Sequence, residues 1–302
     1  MGHRLSTPIT VAPNLNIRWL PNPQILSGGG EPLAALLRPG NAGANTATDH
    51  KNVLAAALKS IPGIDVSRPG RCVLVRTDGA GASHDFLEHL HRNRVQYSVG
   101  FALTPALAAW VNQMPAAAWQ SALTSGGGIR DGAEVVELTG VADLGRWPAG
   151  MRLIVRAERP HPGAQLRFTG ADGRRLTAFV TNTCRGQIQD LEVRHRQRAR
   201  CEDRIRAAKD TGLANLPLQS TAGNRIWILI SQLAQLLIAW SQITALAGTP
   251  AEGWEPKRLR LRLLSLAAKL TRHARRIILH LDRSAAWAHL ITAGLTRLAA
   301  PG

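Results

Sequence analysis

Residues 71–77, RCVLVRT, are a largely apolar run of strand length that ends directly on Asp78. Gly79, Gly81 and Ser83 follow; residues 85–92 then read as a helix and 95–103 as a second strand. Upstream, residues 45–60 carry a helix start, with Thr46 and Asp49 at capping-box spacing ahead of Val53, Leu54, Ala57 and Leu58. Residues 31–38, EPLAALLR, stop at Pro39–Gly40 and read as a short strand. Strands that alternate with helices need crossover connections, which predicts an α/β fold with a largely parallel sheet. An acid at the carboxyl end of such a strand faces the crevice where open α/β sheets bind ligands. Asp–Gly is also a common turn pair, and this segment alone leaves both readings of Asp78 open.

From about residue 105 to 183 the texture becomes β-rich, with candidate strands at 134–139, 151–158, 165–169 and 176–181 between Gly-containing turns. Trp119 and Trp147 lie in or beside this region, where packing is the plain reading of both. Residues 1–29 are rich in Pro and Asn and hold no Asp or Glu, which reads as an irregular leader. The run 226–246 has no charge, but Ser231, Gln232, Gln235 and Gln242 line one side of it. A polar stripe favours a buried core helix over a membrane span. Residues 257–283 read as helical, with Leu259, Leu263, Leu266, Leu270 and Ile277 at helical spacing and a basic opposite face. That face is either solvated or a phosphate-contacting surface.

The most unusual stretch is 195–209, HRQRARCEDRIRAAK. On a helix His195, Arg198, Glu202 and Lys209 fall within about 60° of one another. Arg194, Arg196, Arg198, Arg200, Arg204 and Arg206 surround Glu202 and Asp203. Such a helix carries a strong positive field with one or two anionic points, which suits a phosphodiester held by cations beside a metal-binding carboxylate. The whole chain agrees: 37 basic residues oppose 20 acidic ones, for a net charge of +17, and nucleic acid is the partner this implies first. Cys72, Cys184 and Cys201 are widely spaced with no CxxC, which argues against a disulfide framework or zinc cluster and fits a reducing cytoplasm.

The spacing His195-x2-Arg198-x3-Glu202-x6-Lys209 resembles the YREK signature of DDE-class insertion-sequence transposases, with His in place of Tyr. The flanking run RHRQRARCEDRIRAAKDTGLANLPLQS is similar to the thirteen-eighty family in particular, and the resemblance extends from about residue 30 to the C-terminus. It implies an RNase-H-like mixed sheet flanked by helices, interrupted by a β-rich insertion and followed by a C-terminal helical region. The expected divisions are 1–29 leader, 30–104 first part of the core, 105–185 insertion, 186–248 final acidic helix and apolar helix, and 249–302 basic helices.

The resemblance implies further that Asp78 and Glu202 are two of three catalytic acids and bind Mg2+ or Mn2+. It casts His195, Arg198, Lys209, Arg194 and Arg206 as DNA contacts, with Trp147 stacking on a flipped base. The partners are transposon ends and target DNA, with a second copy or a full-length transposase and no membrane, in the bacterial cytoplasm at the nucleoid. The family's first aspartate and its N-terminal helical DNA-binding region match nothing here. The expectation is therefore a truncated transposase with little activity alone, or a non-catalytic basic DNA-binding fragment.

Overall fold

The computed structural model describes residues 16–19, 32–37, 46–160, 173–197, 205–282 and 284–299. The chain divides into two units, one of Thr10–Pro23 and Leu33–Glu202, the other of Met1–Ile9, Gln24–Pro32 and Asp203–Gly302.

The first unit is built on one seven-stranded sheet. Its strands are β1 (Asn16–Trp19), β2 (Val73–Thr77), β3 (Gln96–Phe101), β4 (Gln120–Leu123), β5 (Ile129–Glu137), β6 (Arg152–Glu158) and β7 (Arg175–Thr181). They lie in the order β1-β2-β3-β7-β6-β5-β4. Helices α1 (Ala47–Lys59), α2 (His84–Arg92), α3 (Pro105–Gln113) and α4 (Ile188–Arg196) accompany the sheet. The result is a mixed sheet flanked by helices, in keeping with an RNase-H-like α/β fold. Only β2 and β3 are parallel, which corrects the expectation of a largely parallel sheet. The connections from β4 to β7 form a meander of antiparallel neighbours, and β7 returns antiparallel to β3. The strands of the β-rich stretch thus continue the same sheet.

Strand β2 is buried on both faces, as a continuous apolar run requires. The Ser83 hydroxyl caps α2 by accepting from the Phe86 amide, and Phe86, Leu87 and Leu90 close under the helix. Phe86 and Leu87 are wholly buried, and each contributes about 1.5–3 kcal/mol of transfer free energy. Helix α1 buries His50, Val53, Leu54, Ala57 and Leu58 at the spacing read from the sequence. Ile188 and Leu191 of α4 pack on Ala122, Ala133, Val135, Ile154 and Phe179.

Two local expectations change. Residues 32–37 form no regular element, and the Leu33 carbonyl instead accepts from the Ser60 hydroxyl beyond the end of α1. Residues 105–113 are helical where β texture was read, because Thr104 caps the Leu107 amide and Pro105 stands where a helix tolerates it best. The strand expected at 165–169 lies outside the described residues.

A charged fork closes the β5–β6 hairpin. Arg152 donates through Nε and Nη2 to the two Glu137 carboxylate oxygens at 2.8 and 2.7 Å, and Thr139 adds a third bond. Arg152 holds the Glu137 carboxyl below its ordinary value of 4.5. A lowered folded value stabilises the fold above the ordinary carboxylate range, and that gain is lost as pH falls through the folded value. Arg152→Met is therefore expected to be less stable at neutral pH, with the gap to wild type narrowing below pH 4.5. Thermal melts from pH 7 downward check this, and a gap that stays constant with pH would refute it.

In the second unit, a π-turn (Lys209–Leu213) precedes α5 (Thr221–Ile243), α6 (Pro256–Leu259) and α7 (Ala288–Ala299). Its core gathers Ala245, Leu246, Ala251, Trp254, Leu259, Leu263 and Leu290, with Trp254 edge-on to Trp287 at 4.9 Å. Arg262 sits 5.1 Å from both indole centres. Between α6 and α7 lies a hairpin, β8 (Ala268–His273) and β9 (Arg276–Leu281), which corrects the helix read over 257–283. Leu259 and Leu263 are buried as that helix required. Leu270 and Ile277 are not: the chain turns at Ala274, whose φ is +53°, and the β-branched pair Ile277–Ile278 favours an extended backbone.

Helix α5 reverses another expectation. It is long and apolar enough to cross a membrane by length and composition, yet its polar side is the one turned inward. Ser231 and Asn224 are buried. Gln242 donates to the Ala251 and Trp254 carbonyls, and Trp227 donates to the Gly212 carbonyl. These bonds fix the helix's rotation. Ile226, Leu229, Ile230, Leu233, Leu237, Trp240 and Ile243 consequently stand between 51% and 63% exposed, so α5 is not the buried core helix expected.

Candidate functional site

Asp78 follows the last residue of β2. Its Oδ1 accepts from the Ala80 amide at 3.1 Å, so the residue opens a tight turn (Gly79–Gly81) and also stands at the carboxyl end of the strand. Turn residue and strand-end acid are here one and the same position. The Thr77 hydroxyl donates to the Asp78 carbonyl at 3.0 Å. Beneath the turn runs Gly100 of β3, where an added Cβ would lie 2.9 Å from the Gly79 nitrogen and 3.0 Å from the Asp78 carbonyl carbon. Gly100 therefore lets the parallel strand pass close under the Asp78–Gly79 peptide.

Residues two apart on a strand share a face, so Arg76 and Asp78 point to one side of the sheet. On that side the last turn of α4 is tied to three strands. Arg76 Nη1 donates to the Arg194 carbonyl at 2.8 Å, a cation placed on the C-terminal end of a helix. The His195 Nδ1 and the Ser98 hydroxyl are 2.9 Å apart, and the imidazole stacks on Phe179 at 4.4 Å with an interplanar angle of 5°. Arg194 Nη2 donates to the hydroxyls of Thr181 and Thr183 at 3.2 and 2.8 Å.

One turn earlier, Glu192 is 1% exposed and takes Arg156 at 2.5 Å and Arg196 at 3.3 Å on one oxygen. Arg156 also meets Glu158 at 2.9 Å, and Glu158 meets Arg130 at 2.8 Å. Burial pulls the Arg196 guanidinium below its ordinary value, against the raising effect of Glu192. Charges of alternating sign thus run from β5 through β6 to α4.

His195 and Arg194 are the two signature-region residues placed beside Asp78's strand. Both are engaged within the protein. His195, at 7% exposure and stacked on Phe179, packs the helix onto the sheet. Arg198 and Glu202 lie outside the described residues. Lys209 and Arg206 belong to the second unit, where Lys209 is exposed and Arg206 lies 3.5 Å from Glu255. Trp147 stacks on His84 at 3.7 Å and meets the edge of Phe101 at 5.2 Å. Phe101 alternates with Gly100, so this cluster belongs to the sheet face opposite Asp78. His84 covers one side of the indole.

Sequence reasoning missed Arg76, Ser98 and Glu192. Arg76 left a signal, a cation inside an otherwise apolar strand. Glu192 left a weaker one, an acid four residues before Arg196. Asp78 is a hard oxygen donor of the kind a divalent cation takes, but such ions need about six donors. Among the described residues no group of three His, Cys, Asp or Glu converges on a metal position.

The fold is thus a mixed sheet flanked by helices, with an acid at the end of an inner strand and the helix Ile188–Arg196 pinned beside it. The sequence from residue 24 to 301 matches the family described as transposase DDE domain group 1. The chain belongs to that family, and DNA transposition is the process its domain serves. Comparison with curated proteins gives no match.

Proposed function

We propose that the chain is the strand-transfer domain of a DDE insertion-sequence transposase of the thirteen-eighty type, with Asp78 and Glu202 as two of its acids. The observation that carries this is the docking of α4 beside β2. The helix Ile188–Arg196, six residues before Glu202 in sequence, is bonded through Arg194 and His195 to the strand that precedes Asp78 and to its neighbour. Asp78 and Glu202 would hold Mg2+ or Mn2+, which when bound activates an attacking oxygen and stabilises a leaving one. Arg198, Lys209 and Arg206 are the cations assigned to phosphates at the transposon end. Arg194 and His195, which the resemblance also counts among the DNA contacts, set the helix position. A second copy or a longer transposase, together with transposon ends and target DNA, completes the assembly.

The resemblance assigns acid roles in this sequence to Asp78 and Glu202, and two carboxylates by themselves hold a pair of divalent ions poorly. The purified chain is therefore expected to nick duplex DNA little or not at all in Mg2+ or Mn2+. Metal-dependent nicking that disappears in Glu202→Gln would overturn the expected inactivity and uphold the site. A net charge of +17 favours a second reading, a basic DNA-binding protein without catalysis. Its mark is steeply salt-dependent binding indifferent to divalent metal.

A further inference from the structure

The β8–β9 hairpin has no role in the site just described, and its construction points to a ligand. The register sets Lys269 opposite His280, Thr271 opposite Ile278 and His273 opposite Arg276, so these six share one face. The Thr271 hydroxyl meets His280 Nε2 at 2.8 Å, which orients that ring. Arg275 sits in the two-residue turn and Arg272 beside it. From residue 256 to 281 the sequence has eight Lys or Arg and no Asp or Glu, so the ribbon holds nothing to neutralise its own charge. Both faces are open: Leu270 and Ile277 on one are 67% and 69% exposed, and Ile278 on the other is 41% exposed.

A lone two-stranded ribbon is marginally stable in water, so one that exposes both faces needs contact with something else to be held firmly. We propose that this hairpin is a DNA-binding ribbon, its Lys269, His273, Arg276 and His280 face laid along a duplex with Arg272 and Arg275 at the leading end. The proposal rests on the transposase reading for the choice of DNA as partner. Charge complementarity supplies the attraction, and a two-stranded ribbon fits the major groove. Six-residue strands extend about 20 Å. Over that length each strand of a duplex carries about six phosphates.

The test measures binding of the full chain to a fluorescein-labelled duplex by anisotropy across a salt series. The variant Lys269→Ala/Arg272→Ala/Arg275→Ala/Arg276→Ala removes four exposed cations from the ribbon. A control, Lys59→Ala/Arg68→Ala/Arg71→Ala/Arg92→Ala, removes four exposed cations from the sheet-bearing unit. Each phosphate contact contributes about 0.9 to the slope of log K against log salt, so the ribbon variant should lose about 3.6 from the slope while the control keeps it. Far-UV circular dichroism guards against unfolding, and Arg272→Ala/Arg275→Ala alone should lose about half as much. An unchanged slope in the ribbon variant, or equal losses in variant and control, overturns the proposal and leaves the DDE assignment standing. A wild-type chain that binds phosphatidylglycerol vesicles but no duplex overturns both.

Discussion

Glu192→Ala is expected to cost the sheet-bearing unit about 3–5 kcal/mol, the largest loss of any single substitution proposed for this chain. The carboxylate is 1% exposed and receives Arg156 and Arg196 on the same oxygen. Without it two guanidiniums remain at the base of α4, each already taken from water. Arg156 keeps Glu158 as a partner, so the burden falls mainly on Arg196, whose charge burial already disfavours. A loss of this size lowers the melting temperature by roughly 10 °C in a unit of this length. The double variant Glu192→Leu/Arg196→Met should recover part of it, because apolar groups of similar volume replace the charges. A double variant less stable than Glu192→Ala would show that packing, rather than unpaired charge, governs the site.

The second large effect is expected at Gly100. Alanine there brings a methyl within 2.9–3.0 Å of the backbone of Asp78 and Gly79, atoms that no side-chain rotation can move aside. Either β3 or the Asp78 turn must shift, at a cost of about 1–3 kcal/mol. The shift also displaces the Asp78 carboxylate from the position its turn defines. If Asp78 binds a divalent ion with Glu202, Gly100→Ala should weaken Mn2+ binding measured by electron paramagnetic resonance more than its loss of stability explains. Unaltered stability and metal binding in Gly100→Ala would mean that the two strands part without consequence.

Much of the first unit was legible because each signal was local. The apolar run before Asp78 and the spacing of Val53, Leu54, Ala57 and Leu58 each act within a few residues. The signals that misled were local too, but the forces that overrode them were not. Leu259, Leu263, Leu266 and Leu270 repeat like one helix, yet only the first two meet a core, and the chain beyond them pairs with itself. The polar stripe of α5 was visible, but which side faced inward depended on the carbonyls of Gly212, Ala251 and Trp254 waiting there. Polar groups can mark the inside of a unit when the neighbouring backbone needs donors. Glu192 was legible only as a possible partner of Arg196 four residues on; its closer partner, Arg156, lies on a strand 36 residues away.

The bonds that pin α4 have a consequence in time. Arg76 and Arg194 are 118 residues apart in sequence, and Ser98 and His195 are 97. Contacts of such range form late, after the chain between them has been ordered. On a ribosome adding about 5–20 residues per second, a chain that has just made β2 waits roughly 5–20 s for Arg194. Throughout that interval the α4 side of β2 and β3 is uncovered, and β3 has no β7 beside it. An unpaired strand edge is a template for any other extended chain nearby. The nascent protein therefore passes through a stage in which the strands destined to frame Asp78 are its most exposed and adhesive surface. A chaperone acting during synthesis would find its task there, between the second strand and the seventh.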